Sequence, residues 1–319
     1  MLILGEIIFG FILLFLGGEA IVRSAIKISE RFNISKALVG LTIVAYATSA
    51  PEMLISLIAS ADDHPQIALG NVIGSNITNT LLILGLCAII QPVIISKKAI
   101  NFDMKYLIIS NVALILFSSL GLISRFEGFM LIFMLITYTF VTCKLSFNSK
   151  GLVSDDYNHM KSPIKLKLTT FSAFILLIIS VILLVVGSKI LIMGSVSLAL
   201  LFNIPESVIA VTIIAFGSSA PEISTSIIAS LRKHSDLAVG NIIGSNIFNI
   251  LGVLGVTSLV KPISTLSTTL SYFDIWFMLL SALALYATSY FYAKISRPTG
   301  ILFLLLYLLY IGWEVSLIL

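Results

Sequence analysis

The sequence predicts an all-α membrane protein: ten transmembrane helices forming two inverted five-helix repeats, with both termini on the outer face. Three observations carry that expectation. First, the chain has 319 residues, of which 58% are hydrophobic and only 11% charged, against about 25% charged in an ordinary soluble domain. So few charges cannot cover a water-facing surface, which excludes a soluble enzyme, a nucleic-acid binder and a disordered chain. Second, the apolar residues gather into ten stretches of membrane-crossing length. Third, the chain resembles itself at an offset of 170 residues.

The stretches lie at 2–22, 38–60, 67–92, 101–122, 126–145, 169–194, 207–231, 237–260, 271–292 and 299–318. The first has no basic residue before it and no clear small-residue cleavage site after it, so it reads as a retained span. Arg23, Lys27, Arg31 and Lys36 follow span 1; Lys97, Lys98 and Lys105 follow span 3. Lys144, Lys150, Lys161, Lys165 and Lys167 follow span 5. Arg232 and Lys233 follow span 7, and Lys294 and Arg297 follow span 9. The opposite side receives only Arg125, Lys189 and Lys261. The excess of Lys and Arg places the loaded side in the cytoplasm. A multi-pass protein of the cell membrane results, in contact with lipid and not with nucleic acid. Its units are a first repeat at 1–145, a polar cytoplasmic linker at 146–168 and a second repeat at 169–319. Cys87 and Cys143 lie in apolar surroundings, and His64, His159 and His234 are scattered. Neither a disulfide framework nor a soft-metal cluster can be built from them.

The repeat is specific. Gly40-Leu-Thr-Ile-Val-Ala-Tyr-Ala-Thr-Ser-Ala-Pro-Glu52 answers Ala210-Val-Thr-Ile-Ile-Ala-Phe-Gly-Ser-Ser-Ala-Pro-Glu222. Gly70-Asn-Val-Ile-Gly-Ser-Asn-Ile-Thr-Asn79 answers Gly240-Asn-Ile-Ile-Gly-Ser-Asn-Ile-Phe-Asn249. Five spans per repeat is an odd number, so the second copy enters the membrane from the opposite side. That is the architecture of secondary transporters with a midplane site.

Glu52 and Glu222 fall near mid-span, where a carboxylate costs several kcal/mol unless it faces water or a cation. Pro51 and Pro221 displace the carbonyls four residues earlier, those of Ala47 and Gly217, and freed carbonyls in a membrane need another partner. The preceding half-helix also aims its negative end at the break. Each break therefore offers main-chain oxygens, hydroxyls of Thr48, Ser49, Ser218 and Ser219, and one carboxylate. Asn71, Ser75 and Asn79 form a stripe at four-residue spacing, repeated by Asn241, Ser245 and Asn249. Gly70, Gly74, Gly240 and Gly244 allow close helix approach. Asn71, Asn76, Asn241 and Asn246 serve equally well as interhelical glue or as ligands, whereas Ser75, Asn79, Ser245 and Asn249 are the better ligand candidates. An all-oxygen set suits hard cations, with Ca²⁺ the leading divalent ion and Na⁺ its monovalent competitor.

At these residues the sequence resembles the cation/Ca²⁺ exchanger superfamily, most nearly its prokaryotic sodium/calcium exchangers. The specific part is the pair of motifs at 40–85 and 210–255. The resemblance implies that Glu52 and Glu222 are shared ligands of Ca²⁺ and Na⁺, and that the carbonyls of Thr48 and Ser218 join the Ca²⁺ site. It further implies that the carbonyls of Ala45 and Ala215, with Ser49, Ser219, Ser75 and Ser245, form flanking Na⁺ sites. Asn79 and Asn249 would line the centre, and spans 1 and 6 would slide or gate. One departure is that many members of the superfamily carry aspartate where this chain has Asn249, which leaves two acids and weakens a K⁺-dependent reading.

The function expected is Na⁺/Ca²⁺ antiport by a monomer, with the ions as cargo and no resident cofactor. The alternatives are a Ca²⁺/H⁺ antiporter and a passive cation channel. An intramembrane enzyme finds no support, since no Ser/Lys or His/Asp pair lies in matched helices and His-Glu-x-x-His is absent. Glu19 and Lys189, at matching repeat positions, are expected to lie toward opposite faces and not to pair with each other. Glu6 and Glu314 read as interfacial, His64 and His234 as loop or capping residues, and Tyr307, Tyr310 and Trp313 as an interfacial belt.

Overall fold

Long runs of Leu, Ile, Val and Phe become helices in lipid because every N–H and C=O must find its partner within the segment. A computed structural model describes residues 2–62, 64–148, 169–202, 204, 213, 215–265 and 272–318. Most of the expected linker, the start of span 7 and the first residues of the motif at 210–255 lie outside the described residues. Among those described, nine helices are long and apolar enough to cross a membrane. They are α1 (Leu2–Phe32), α2 (Lys36–Ala61), α3 (Ile67–Ile90), α4 (Ala99–Ser119), α5 (Arg125–Asn148), α6 (Thr170–Leu201), α8 (Ser235–Val260), α9 (Tyr272–Tyr292) and α10 (Arg297–Ile318). Between α6 and α8 lies α7, described as Ala215–Ser218 followed by Ala220–Leu231.

Two boundaries differ from expectation. α1 runs ten residues past the apolar stretch, so Arg23, Lys27 and Arg31 sit on a helix and not in a loop. Pairs at helical spacing support the extension: Arg23 lies 2.7 Å from Glu19, and Lys27 4.0 Å from Glu30. Asn33, at φ 55°, ends it. α6 likewise continues to Leu201; its start is capped by Thr169, whose hydroxyl accepts from the Ser172 amide. The all-α expectation needs a small addition. β1 (Val93–Ile94) pairs antiparallel with β4 (Lys294–Ile295), and β2 (Leu122–Ile123) with β3 (Ile263–Ser264). Each pairing clips a loop of one repeat to a loop of the other.

α3 and α8 are the most buried spans and form the core with α2 and α7. α1 and α6 pack against each other antiparallel: Gly10 approaches Leu191, Gly17 approaches Leu184, and Gly194 approaches Ile7. A Cβ on Gly10 would lie 2.8 Å from the Leu191 amide nitrogen, so only glycine permits this backbone contact.

The expected aromatic belt is partly corrected. Tyr307 is buried, and its hydroxyl accepts from Thr78 at 3.4 Å. Tyr310 donates to Asp274 at 3.1 Å and stacks on Phe277. Their hydroxyls find protein partners, so the rings turn inward. Trp313 remains exposed.

Candidate cation site

The breaks predicted from proline stand where the sequence puts them. In α2 the helix stops at Thr48, Ser49 takes φ −82° and ψ 10°, and a new segment starts at Ala50 with Pro51 in its first turn. In α7, Ser219 takes φ −84° and ψ 6°, and Pro221 opens the next segment. Proline fits there because a first-turn residue needs no N–H partner. The Gly217 carbonyl, four residues before Pro221, accepts a hydrogen bond from Ser188 of α6 at 2.5 Å. The freed carbonyl thus has a protein partner, as membrane burial demands.

Glu52 and Glu222 each follow a break by three residues and are fully buried. They lie within coulombic range of each other. Ser49 joins them: it belongs to the first break, and its hydroxyl donates to Glu222 Oε1 at 2.9 Å. Thr48 Oγ1 lies 3.2 Å from both the Ala45 carbonyl and Asn241 Oδ1, and 3.5 Å from Ser245 Oγ. Ser245 Oγ lies 3.4 Å from the Ala45 carbonyl. Thr48, Ser49, Ala45, Ser245 and Glu222 are therefore one cluster, built from α2, α7 and α8. Ser218 is buried at the end of the first segment of α7, and Ala215 opens that segment.

π-helical turns shape the partner helices. One covers Thr78–Ile83 in α3 and another Asn249–Val253 in α8. A π turn adds a residue to the helix and re-aims the side chains around it, and such turns concentrate at functional sites. Asn79 and Asn249, both fully buried, sit in these turns.

The amides divide by role more cleanly than their spacing shows. Asn71 donates to Ser56 Oγ at 3.1 Å and to the Glu52 carbonyl at 3.2 Å; its repeat mate Asn241 donates to Ser226 Oγ at 3.0 Å. Asn76 donates to the Asn246 carbonyl, and Asn246 to Thr80 at 2.8 Å. Asn79 donates to Asn246 Oδ1 at 3.0 Å. Asn71, Asn76, Asn241 and Asn246 hold the helices together.

A different set has nothing to hold. Both carboxylate oxygens of Glu52, Oε2 of Glu222, Oδ1 of Asn79, both amide atoms of Asn249, and the hydroxyls of Ser75 and Ser219 are buried without a hydrogen-bond partner. An unpaired buried polar atom costs about 1–3 kcal/mol, more for a charged one. They recur on both breaks and on the facing motif residues of α3 and α8, at matching repeat positions, which calls for a partner other than protein. Nearly all are oxygens, and among the described residues no group of three His, Cys, Asp or Glu side chains could hold a metal. The donor set is hydroxyl, amide and carboxylate oxygen with two acids, the chemistry of a hard cation.

Sequence reasoning missed one charged feature. Glu19 of α1 is gripped by Arg23 and by Arg232 at the end of α7, at 2.7 and 2.9 Å. As expected, His64 and His234 stand just before α3 and α8, though neither caps with its side chain. His234 Nδ1 lies 3.2 Å from Lys36 Nζ.

The fold and this oxygen-lined core define a multi-pass membrane transporter. The Sodium/calcium exchanger protein family matches the chain over residues 2–144 and 172–315, and the chain belongs to that family. It is similar to membrane protein MJ0091 of Methanocaldococcus jannaschii, at 35% identity over 98% of each chain. It is also similar to Sodium/calcium exchanger MaX1 of Methanosarcina acetivorans, at 28% identity over 83% of this chain and 85% of the relative. Among solved structures, the sodium-calcium exchanger NCX_Mj soaked with Na⁺ and Ca²⁺ superposes with a TM-score of 0.83 at 33% identity, over 98% of each chain. The chain is accordingly a cation/Ca²⁺ exchange antiporter of prokaryotic type, and its relatives are transporters rather than enzymes.

Proposed function

We propose that the chain exchanges Na⁺ for Ca²⁺ across the cell membrane by alternating access at the oxygen cluster between the two breaks. The observation that carries this reading is the buried set of unpartnered oxygens centred on one carboxylate from each repeat. Ca²⁺ is held by Glu52 and Glu222 with the carbonyls of Thr48 and Ser218. Na⁺ takes flanking positions at Ser49, Ser219, Ser75 and Ser245 and the carbonyls of Ala45 and Ala215. Asn79 and Asn249 line the centre. Two carboxylates carry a charge of −2 when ionised, which one Ca²⁺ neutralises, and monovalent ions compete for the same oxygens. NCX_Mj was soaked with both ions, which supports the same cargo here. The protein works as a monomer, since one chain supplies both halves of the site, and no resident cofactor takes part.

Ten crossings, in two inverted repeats on either side of the 146–168 linker, fit the loop pairings. β1 and β4 must lie on one face of the membrane, as must β2 and β3, so an even number of crossings separates each pair. Between β1 and β4 come α4, α5, α6, α8 and α9, and only a crossing α7 makes the number even. The same holds for β2 and β3. With the basic loops inside, both termini lie outside.

The test is Ca²⁺ uptake by reconstituted vesicles under an imposed Na⁺ or pH gradient. Saturable uptake that requires Na⁺ on the far side is expected. Uptake driven by pH alone, without Na⁺, would make the protein a Ca²⁺/H⁺ antiporter instead. Flux needing no counter-ion would make it a channel.

A further inference from the structure

The Glu19–Arg232 pair has a mirror image in the other repeat, with the charges exchanged. At the offset of 170, Glu19 of α1 answers Lys189 of α6, and Arg232 after α7 answers Asp62 after α2. On the cytoplasmic side the pair is made: Arg232 forks onto Glu19, Nη2 to Oε1 at 2.9 Å and Nε to Oε2 at 3.2 Å. On the outer side Lys189 and Asp62 are exposed, and among the described residues neither forms an ion pair.

Packing around the two pairs differs in the same sense. α1 lies against α7: Ser224 donates to the Leu14 carbonyl at 2.6 Å, and Ile228 is only 4% exposed. Their repeat mates on α2 are uncovered. Leu54 is 54% and Ile58 53% exposed. The inner side of the α1–α6 pair is therefore closed onto α7, while its outer side stands away from α2.

We propose that Lys189 and Asp62 form the outer counterpart of the Glu19–Arg232 pair, and that the protein alternates between the two, one made while the other is broken. The glycine contacts join α1 and α6 as one body, so swinging Lys189 toward Asp62 and covering Leu54 and Ile58 withdraws Glu19 from Arg232. The exchanged charges prevent either mobile group from serving the other's partner. The inner pair is the stronger, because a bidentate arginine fork holds carboxylate better than a single ammonium. Glu19 is also held by Arg23, whose repeat position is Met193. The resting protein thus favours the inward-closed state. This inference rests on the alternating-access reading above and deepens it by naming the groups that hold each end.

Cross-linking of Asp62→Cys to Lys189→Cys with a short bifunctional thiol reagent tests it, the linked peptides being identified by mass spectrometry. Adding Glu19→Gln should raise the yield about threefold, the scale of an exposed-to-partly-buried ion pair. In a separate variant, Ile58→Cys should label from outside, and Glu19→Gln should slow that labelling to a similar degree. Unchanged or reduced cross-linking, or unchanged labelling, overturns the proposal. Neither readout uses ion flux. Normal Na⁺-driven Ca²⁺ uptake with unchanged cross-linking sinks the latch alone, and absent uptake with shifted cross-linking sinks the assignment of cargo alone.

Discussion

The break in α2 and the break in α7 are near copies in sequence, yet they touch different things. Ser49 reaches across to Glu222, but its mate Ser219 does not reach Glu52, and the Ser219 hydroxyl and both Glu52 carboxylate oxygens are left without partners. Thr48 sits among Asn241, Ser245 and the Ala45 carbonyl, while Ser75, the mate of Ser245, has no partner. The first break is thus sealed against the second repeat, and the second break is loose against the first. On the alternating-access reading proposed above, two copies of one motif that differ this way are one state of a two-state device. In the opposite state the roles of the copies would exchange, which is how an inverted repeat makes two faces equivalent.

The largest effect expected separates ligand from scaffold. Glu52→Gln and Glu222→Gln each keep the side-chain volume and remove one charge. Losing only a neighbour of a metal ligand costs about 10–100-fold in affinity, so losing a carboxylate ligand should reduce Na⁺-driven Ca²⁺ uptake by about 100-fold or more. Normal membrane insertion of both variants is expected. Near-normal uptake in either variant would remove its carboxylate from the site.

The next comparison sets Ser49→Ala against Ser219→Ala. Ser49 holds Glu222 by a hydrogen bond to a charged group, and such bonds contribute about 1.5–3 kcal/mol. A fall of about tenfold in Ca²⁺ affinity is expected for Ser49→Ala, measured by isothermal titration in detergent. Ser219→Ala removes no bond in this state, so its effect should be smaller. Equal effects would mean that the asymmetry between the breaks has no energetic meaning.

Packing gives a third contrast. A Cβ on Gly240 would lie 2.4 Å from the Ala37 carbonyl, and one on Gly244 equally near that of Leu41. A Cβ on Gly74, the mate of Gly244, meets nothing within 4 Å. Gly244→Ala should therefore destabilise the protein by about 1–3 kcal/mol, seen as a lower melting temperature, while Gly74→Ala should leave it nearly unchanged.

Much of this was legible because the informative residues are rare in lipid. Pro51, Pro221, Glu52 and Glu222 cannot sit in a membrane helix without cause, so the breaks and the acids could be read from spacing alone. The ends of α1 and α6 could not, because apolar content marks the hydrocarbon and not the helix, which here continues into water on Glu19–Arg23 and Lys27–Glu30 pairs. The four amides that act as glue were indistinguishable by type from Asn79 and Asn249, whose amide oxygens are left without a partner. What separates them is the π turn, a backbone adjustment that no single residue announces. The Glu19–Arg232 pair joins residues 213 positions apart. Its one sequence trace was the exchanged charge at the mirror positions Asp62 and Lys189, visible only when the repeat register is carried beyond the motifs.

The smallest effect concerns the contact between Lys36 at the start of α2 and His234 between α7 and α8. Burial, and then the Lys36 ammonium, lower the His234 imidazole from its ordinary 6.5 to about 4. The folded protein therefore holds His234 neutral at a pH where the unfolded chain would protonate it. Stability from this group is complete above about pH 6.5, falls as the pH drops, and is fully lost below about pH 4. Melting temperatures in detergent should accordingly decline between neutral pH and about pH 4.5, and His234→Gln should flatten that part of the decline. A decline that His234→Gln leaves unchanged would remove this contact as its source.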